Sequence, residues 1–192
     1  MSQENVEVVR GFRIVLPSHG DGVSERRSLD ERLSIRFPAV YRLLGGAFVR
    51  LPPRSRLRRL LITRRLWQAY AAANRRDFDS VLIGWDPESE YQPSADLIAP
   101  DQDAVFYGHD GYLQLWRYWL AAFEDIRWDP EEILYFGDRL VVTTQQRGRG
   151  SGSGVGVSKP VFQLFTLRRG LVIRQEDFAD RDQALEAAGL SE

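Results

Sequence analysis

The chain has 192 residues, 43% of them apolar and 28% charged, which is the balance of one soluble domain with room for an appendage. It has no cysteine, which excludes disulfides, a thiolate nucleophile and any Cys-based zinc site. No apolar run reaches the roughly 18 residues that a membrane span requires. The net charge is −1, but residues 1–65 hold 14 Arg against 6 acids, and residues 66–192 hold 12 Arg/Lys against 21 acids. Two zones of opposite charge either attract each other, or the basic one meets an anionic partner. Met1–Asn5 lacks the basic and apolar regions of a signal peptide. Together with the missing cysteines this favours a cytoplasmic location.

Residues 1–10 read as a short helical start, and residues 17–25, with Pro17, Gly20, Asp21 and Gly22, as loop. Ser28 and Glu31 have capping-box spacing, which starts a helix at Leu29. Pro38 suits the first turn of a second helix, with Val40, Tyr41, Leu44 and Phe48 on one face. A longer helix is expected from Ser55 to Asn74. Its apolar stripe is Leu57, Leu60, Leu61, Leu66, Ala69, Tyr70 and Ala73, and arginines fill most of the rest. Asp77 caps a short helix through Leu82, closed by Asp86-Pro87. Glu88–Gln92 is a short first strand, and residues 93–105 are a Pro- and Asp-rich loop.

The clearest helix spans residues 109–124. Tyr112, Leu115, Trp116, Trp119, Leu120 and Phe123 form a broad apolar face that must pack on a sheet. Strands follow at Ile133–Phe136, Leu140–Thr144, Val161–Leu167 and Leu171–Phe178. Gly148–Gly156 reads as a hairpin loop, too glycine-rich for a strand interior. It lacks the Gly-Lys-Ser/Thr ending of a phosphate loop. Asp182–Ala188 is a last helical piece, stopped by Gly189.

From Leu66 onward the chain resembles the SnoaL-like branch of the nuclear transport factor 2-like superfamily. The resemblance is carried by Ala69–Asp79, Tyr107–Gly111, Gly137–Val142, Gly148–Gly152, Phe165–Gly170 and Ala184–Gly189, in that order. It implies an α+β fold, a conical cystatin-like barrel in which a strongly curved antiparallel sheet wraps around helices and encloses a cavity. Residues 1–65 would then be an N-terminal helical, arginine-rich extension, and residues 66–192 the SnoaL-like domain. The resemblance also implies a homodimer and a small-molecule ligand, with no cofactor. Relatives include isomerases, cyclases, hydrolases and non-catalytic binders, so fold alone does not choose among them.

The isomerases of this superfamily place a tyrosine and two acids at positions that align here with Ala69, Gln92 and Gln163. Alanine and amides cannot shuttle a proton, so steroid-isomerase chemistry is not expected. A slip of one residue would put Tyr70 in place of Ala69. With Gln163 taken as cavity-facing, alternation brings Phe165 inward, and strand alignment adds Thr143, Gln145 and Arg147 on one side and Ile173, Gln175 and Asp177 on the other. Asp177 is then the candidate general base, with Arg147, Gln145 or Gln163 steadying an oxyanion. The competing interpretation pairs Asp177 with an arginine or gives it a strand-end role. A shift of one residue would instead expose Arg174, Glu176 and Phe178 to the cavity.

Tyr70, Tyr91 and Trp116 are the aromatic candidates for the cavity wall, with Trp67 and Trp119 also considered. His109 is read as a capping residue rather than half of a dyad with Asp110. Two histidines ninety residues apart make no metal site. The seven arginines between Arg50 and Arg65 come without a nucleic-acid reading element or stacking aromatics. They could lie on an anionic membrane surface. Docking of the helix on the acidic remainder is preferred.

Overall fold

The structure, a computed structural model, describes residues 12–15, 26–49, 51–52, 55–94 and 105–190. The expected helical start at 1–10, the loop at 17–25 and most of the loop at 93–105 lie outside the described residues, as do the side chains of Leu44 and Phe48. Strands are β1 (Phe12–Val15), β2 (Trp85–Gln92), β3 (Phe106–Tyr107), β4 (Arg127–Phe136), β5 (Arg139–Arg149), β6 (Gly156–Arg168) and β7 (Leu171–Phe178). Helices, in chain order, are α1 (Leu29–Arg36), α2 (Pro38–Val49), α3 (Arg56–Asn74), α4 (Phe78–Leu82), α5 (Gly108–Ala122) and α6 (Arg181–Ala187).

All seven strands join one curved, open sheet in the order β1-β4-β5-β6-β7-β2-β3. Every pairing is antiparallel except β2 with β7, which is parallel. The fold is therefore α+β, a cone whose sheet curls over helices. β1 and the two-residue β3 are additions to the strands expected from the sequence. β2 is longer than expected and passes through Asp86-Pro87. A bulge absorbs the interruption, since Trp85 lies opposite Val172 while Glu90 lies opposite Arg174. β5 likewise continues through Gly148 to Arg149, so the hairpin turn is shorter than the expected 148–156 loop. A Cβ on Gly148 would stand 3.2 Å from Phe123 Cδ1, and this close approach is why glycine occupies a strand interior here.

Two apolar clusters use the two faces of the sheet. On the concave face, Trp85, Tyr91, Leu140, Val142 and Phe165 pack against Tyr112, Leu115, Trp116 and Trp119 of α5 and Ala72 and Ala73 of α3. On the convex face, Leu134, Val141 and Leu164 pack against Ala184 and Ala188 at the C-terminal helix. Each large apolar side chain fully buried in this way stabilises the fold by about 1.5–3 kcal/mol. Leu120 differs from the expected stripe on α5 and stays 37% exposed.

The helix starts follow their sequence signals. Ser28 and Glu31 form the capping box, Ser55 caps α3, and Asp77 caps α4 through Ser80 N. α3 runs unbroken across the 65/66 boundary between extension and domain. The two zones are also tied by charge. Arg27 Nη2 donates to Asp77 Oδ1 at 2.6 Å, and Arg75 Nη2 to Glu31 Oε1 at 2.8 Å. Arg58, only 4% exposed, donates to Asp138 Oδ1. Docking of α3 differs in detail from the expectation. Leu57 and Leu60 remain 51% and 65% exposed, while Leu66 packs on the core as expected and Ile62 joins it there.

Candidate functional site

The concave face of the sheet, α5, α3 and the extension enclose a cavity of about 470 Å³. Its walls are mainly apolar, with a run of packed aromatic rings. Trp85 packs on Tyr112 with ring centroids 4.7 Å apart, Trp116 on Trp128 at 4.8 Å, and Trp119 on Trp128 at 4.9 Å. Tyr41, Leu61 and Ile62 close the side belonging to the extension. Arg65 lies over the Tyr41 ring with its guanidinium carbon 3.8 Å from the centroid.

One polar cluster lies at the sheet end of this cavity, centred on Asp177, which is 6% exposed. Tyr91 Oη donates to Asp177 Oδ2 at 2.7 Å. Gln175 Nε2 and Gln163 Nε2 donate to Asp177 Oδ1 at 2.7 and 3.0 Å. Tyr70 Oη donates in turn to Gln163 Oε1 at 2.5 Å. The register explains the grouping: Val142 lies opposite Gln163, Gln163 opposite Asp177, and Phe165 opposite Gln175, so these side chains share one face. Burial raises the Asp177 carboxyl from 3.8 to about 6, and the hydrogen bonds from Gln175, Tyr91 and Gln163 hold it from going higher. Burial, aided by the Asp177 charge, pushes the hydroxyls of Tyr70 and Tyr91 well above the usual phenol range, so both keep their protons. Gln163, Gln175, Tyr70 and Tyr91 line the cavity, while Asp177 lies behind them.

Three of the candidate residues belong elsewhere. Thr143, Gln145 and Arg147 were expected on the cavity face, but that face of β5 carries Leu140, Val142, Thr144 and Gln146, the residues opposite Phe165, Gln163, Val161 and Lys159. Thr143, Gln145 and Arg147 point to the convex side. Gln145 donates to Ser158 Oγ, and Arg147, 60% exposed, pairs with Asp129. Arg147 therefore has no part in steadying an oxyanion in the cavity. Ile173 sits at a bulge, and Val172 rather than Ile173 reaches the cavity. Gln92 is exposed, and Tyr91 takes the inward place at the end of β2. Ala69 lines the cavity beside Tyr70, but Tyr70 makes the polar contact.

Trp116 is buried in the wall. His109 does not cap α5: its Nε2 is 3.2 Å from Trp85 O, joining the helix start to β2. Gly108 beside it has φ +67, and a Cβ there would lie 2.7 Å from Pro87 O. The sequence reading missed Trp85, Tyr112 and Trp128 as wall residues. Their signal was only an aromatic at each strand or helix start facing the centre. Among the described residues no three His, Asp or Glu side chains gather as a metal site, and no helix is long and apolar enough to cross a membrane.

Comparison with known proteins adds to this geometry. Residues 67–175 match the profile of the SnoaL-like domain. A search of curated proteins gives no match. Among solved structures, TerC co-crystallised with polyporic acid aligns at 22% identity with a TM-score of 0.56, over 67% of this chain and 98% of its own. An NTF2-like protein of unknown function from Burkholderia pseudomallei aligns at 21% identity and TM-score 0.56, over 67% and 98%. A ketosteroid isomerase-like protein from Catenulispora acidiphila, in complex with trimethylamine, aligns at 15% identity and TM-score 0.53, over 66% and 93%. At these identities the likeness is one of fold.

Proposed function

The chain belongs to the SnoaL-like domain family, and from that premise we propose that its cavity binds a small, mostly apolar molecule, with Tyr70, Tyr91, Gln163 and Gln175 as the polar contacts. Asp177 positions those groups from behind. The observation that carries this reading is the apolar, aromatic-rich cavity with the buried Asp177 network at its sheet end. A space of this size suits a drug-sized ligand. Fold neighbours crystallised with polyporic acid and with trimethylamine are in keeping with the reading. Self-association as a homodimer is part of the proposal, and sedimentation velocity across a dilution series tests it.

The four tryptophans in the wall make ligand entry visible as a change of intrinsic fluorescence. Titration with apolar ring compounds should quench or shift the emission of the full chain, and Ala69→Trp should block the response while the fold survives. A panel without any saturable change, or an Ala69→Trp protein that responds like the wild type, would remove the proposal.

The 2.7 Å contact between Tyr91 and Asp177 favours a second reading, acid–base catalysis. A substrate proton would pass to Tyr91 Oη as the Tyr91 proton passes to Asp177, leaving an enolate in the cavity and a protonated Asp177. Asp177→Asn should then abolish hydrogen–deuterium exchange at an acidic carbon of a bound ketone. Unchanged exchange in that variant would end this reading.

A further inference from the structure

The polar end of the cavity has a defined hydrogen-bonding sense, and this follows from one residue. An ionised carboxylate only accepts. Both side-chain amides beside Asp177 must therefore turn their nitrogens toward it, as Gln163 Nε2 and Gln175 Nε2 do. Gln163 then has its oxygen turned away, and Tyr70 donates to it. Tyr91 spends its hydrogen on Asp177 Oδ2. Both phenol hydrogens are thus committed within the network, and the two tyrosine oxygens keep only lone pairs for anything in the cavity. Gln175 Oε1 meets no donor among the described residues. Trp116 Nε1 and Trp128 Nε1 are donors in the same wall, but both are sealed from solvent and from the cavity. Arg58 and Arg64 lie toward the extension and are engaged by Asp138 and Asp30, and Arg65, whose Nη2 meets no partner among the described residues, lies over the Tyr41 ring on that same side.

We propose that the bound molecule carries a hydrogen-bond donor, a hydroxyl or an amine, at the end that reaches β6 and β7, and that analogues ending there in a carbonyl or an ether bind more weakly. This rests on the reading of the cavity as a ligand site. It reverses the polarity of an oxyanion-stabilising site, whose groups would donate. A carbonyl oxygen directed at the oxygens of Tyr70, Tyr91 and Gln175 would meet acceptors only, since the remaining donors of the wall, Tyr112 and Arg65, belong to α5 and α3 rather than to β6 and β7, and the lost pairing would cost affinity.

The test compares 2-naphthol, 2-methoxynaphthalene and 2-naphthaldehyde binding to the full chain at pH 8, by titration calorimetry. The naphthol should bind about tenfold tighter than either analogue. In Asp177→Asn the preference should shrink, because an amide donates as well as accepts and frees the glutamines to turn over. A second readout needs no variant: on lowering the pH of the wild type to 5 the carboxylate gains a proton and can donate, and the ratio should shrink in the same way. Equal binding of all three probes, or preference for the aldehyde, overturns the inference while the cavity remains a binding site. Binding of none of them overturns the cavity reading and the inference with it.

Discussion

Gly170, in the turn between β6 and β7, lies directly against Gly45 of the helix 38–49: a Cβ placed on Gly170 would stand 2.9 Å from the Gly45 carbonyl oxygen. Gly170 also has φ +81, in the left-handed region. The contact joins a turn of the cone to the extension at the rim of the cavity, which both glycines line. Gly170→Ala therefore meets backbone strain and a backbone clash together. Gly137 provides the comparison, with φ +66 and nothing within 4 Å of its Cβ position. Gly137→Ala should cost about 1 kcal/mol in urea unfolding and Gly170→Ala roughly twice that. Only the Gly170 variant should speed proteolysis within residues 38–49. Equal behaviour of the two would mean that the contact carries no weight.

Arg75 and Glu31 are 10% and 5% exposed, so removing one charge leaves the other buried. Burial would raise the Glu31 carboxyl, but hydrogen bonds from Arg75 and Ser28 hold it below its ordinary value. Glu31→Ala should destabilise the protein by about 3 kcal/mol. The double variant with Arg75→Met should recover part of that loss in a double-mutant cycle. Additive losses in the cycle would contradict a coupled pair.

Asp177 gives a pH dependence of unusual sign for an acid. Its folded carboxyl titrates at about 6, above the ordinary 3.8, so the folded protein holds the proton more tightly than the unfolded chain does. Its contribution to stability is complete below about pH 4 and is lost as pH rises through 6, a swing of about 3 kcal/mol. Asp30 acts in the opposite direction. Burial would raise it, but hydrogen bonds from Ser28, Gln68 and Arg64 bring it to about 2, so its contribution is present above pH 4 and is lost as the pH falls toward 2. In urea titrations from pH 3.5 to 8, Asp177→Asn should gain on the wild type between pH 4 and 6.5 and run parallel above 7. Parallel curves throughout would refute the buried, proton-holding acid.

Arg147 supplies a negative prediction. It points outward and its pair with Asp129 is solvent-exposed, so Arg147→Ala should change stability by less than about 0.5 kcal/mol. It should also leave ligand titrations untouched. A clear loss of binding would return Arg147 to the cavity and contradict the register of β5.

That register also shows where the sequence stopped being legible. The helix 108–122 and the alternation Gln175-Glu176-Asp177 carry one clear face each, and their burial could be read directly. In β5 the sequence runs Val141-Val142, Thr143-Thr144, Gln145-Gln146. Each step along the strand repeats its neighbour's chemistry, so a period of two has no preferred phase. Only the outer contact of Val141 with the helix at 181–187 and the inner contact of Val142 with the aromatic core fix which set faces in. β2 was obscured for a different reason. Asp86-Pro87 carries the signature of a chain break, and a bulge in the sheet accommodates it. Tyr70 and Tyr91 each lie one position from the alignment with isomerase residues, and only the Asp177 network shows that both hydroxyls converge on the same place.

The unbroken helix 56–74 has a consequence for how this protein can be divided. Its first half belongs to the extension and its second half carries Tyr70 into the cavity. Trimming the chain to the family-matched segment would sever that rod in mid-course and strip away the wall formed by Leu61 and Ile62. The extra N-terminal residues are thus built into the cavity wall as masonry, and the part that resembles its relatives is not, by itself, the whole vessel.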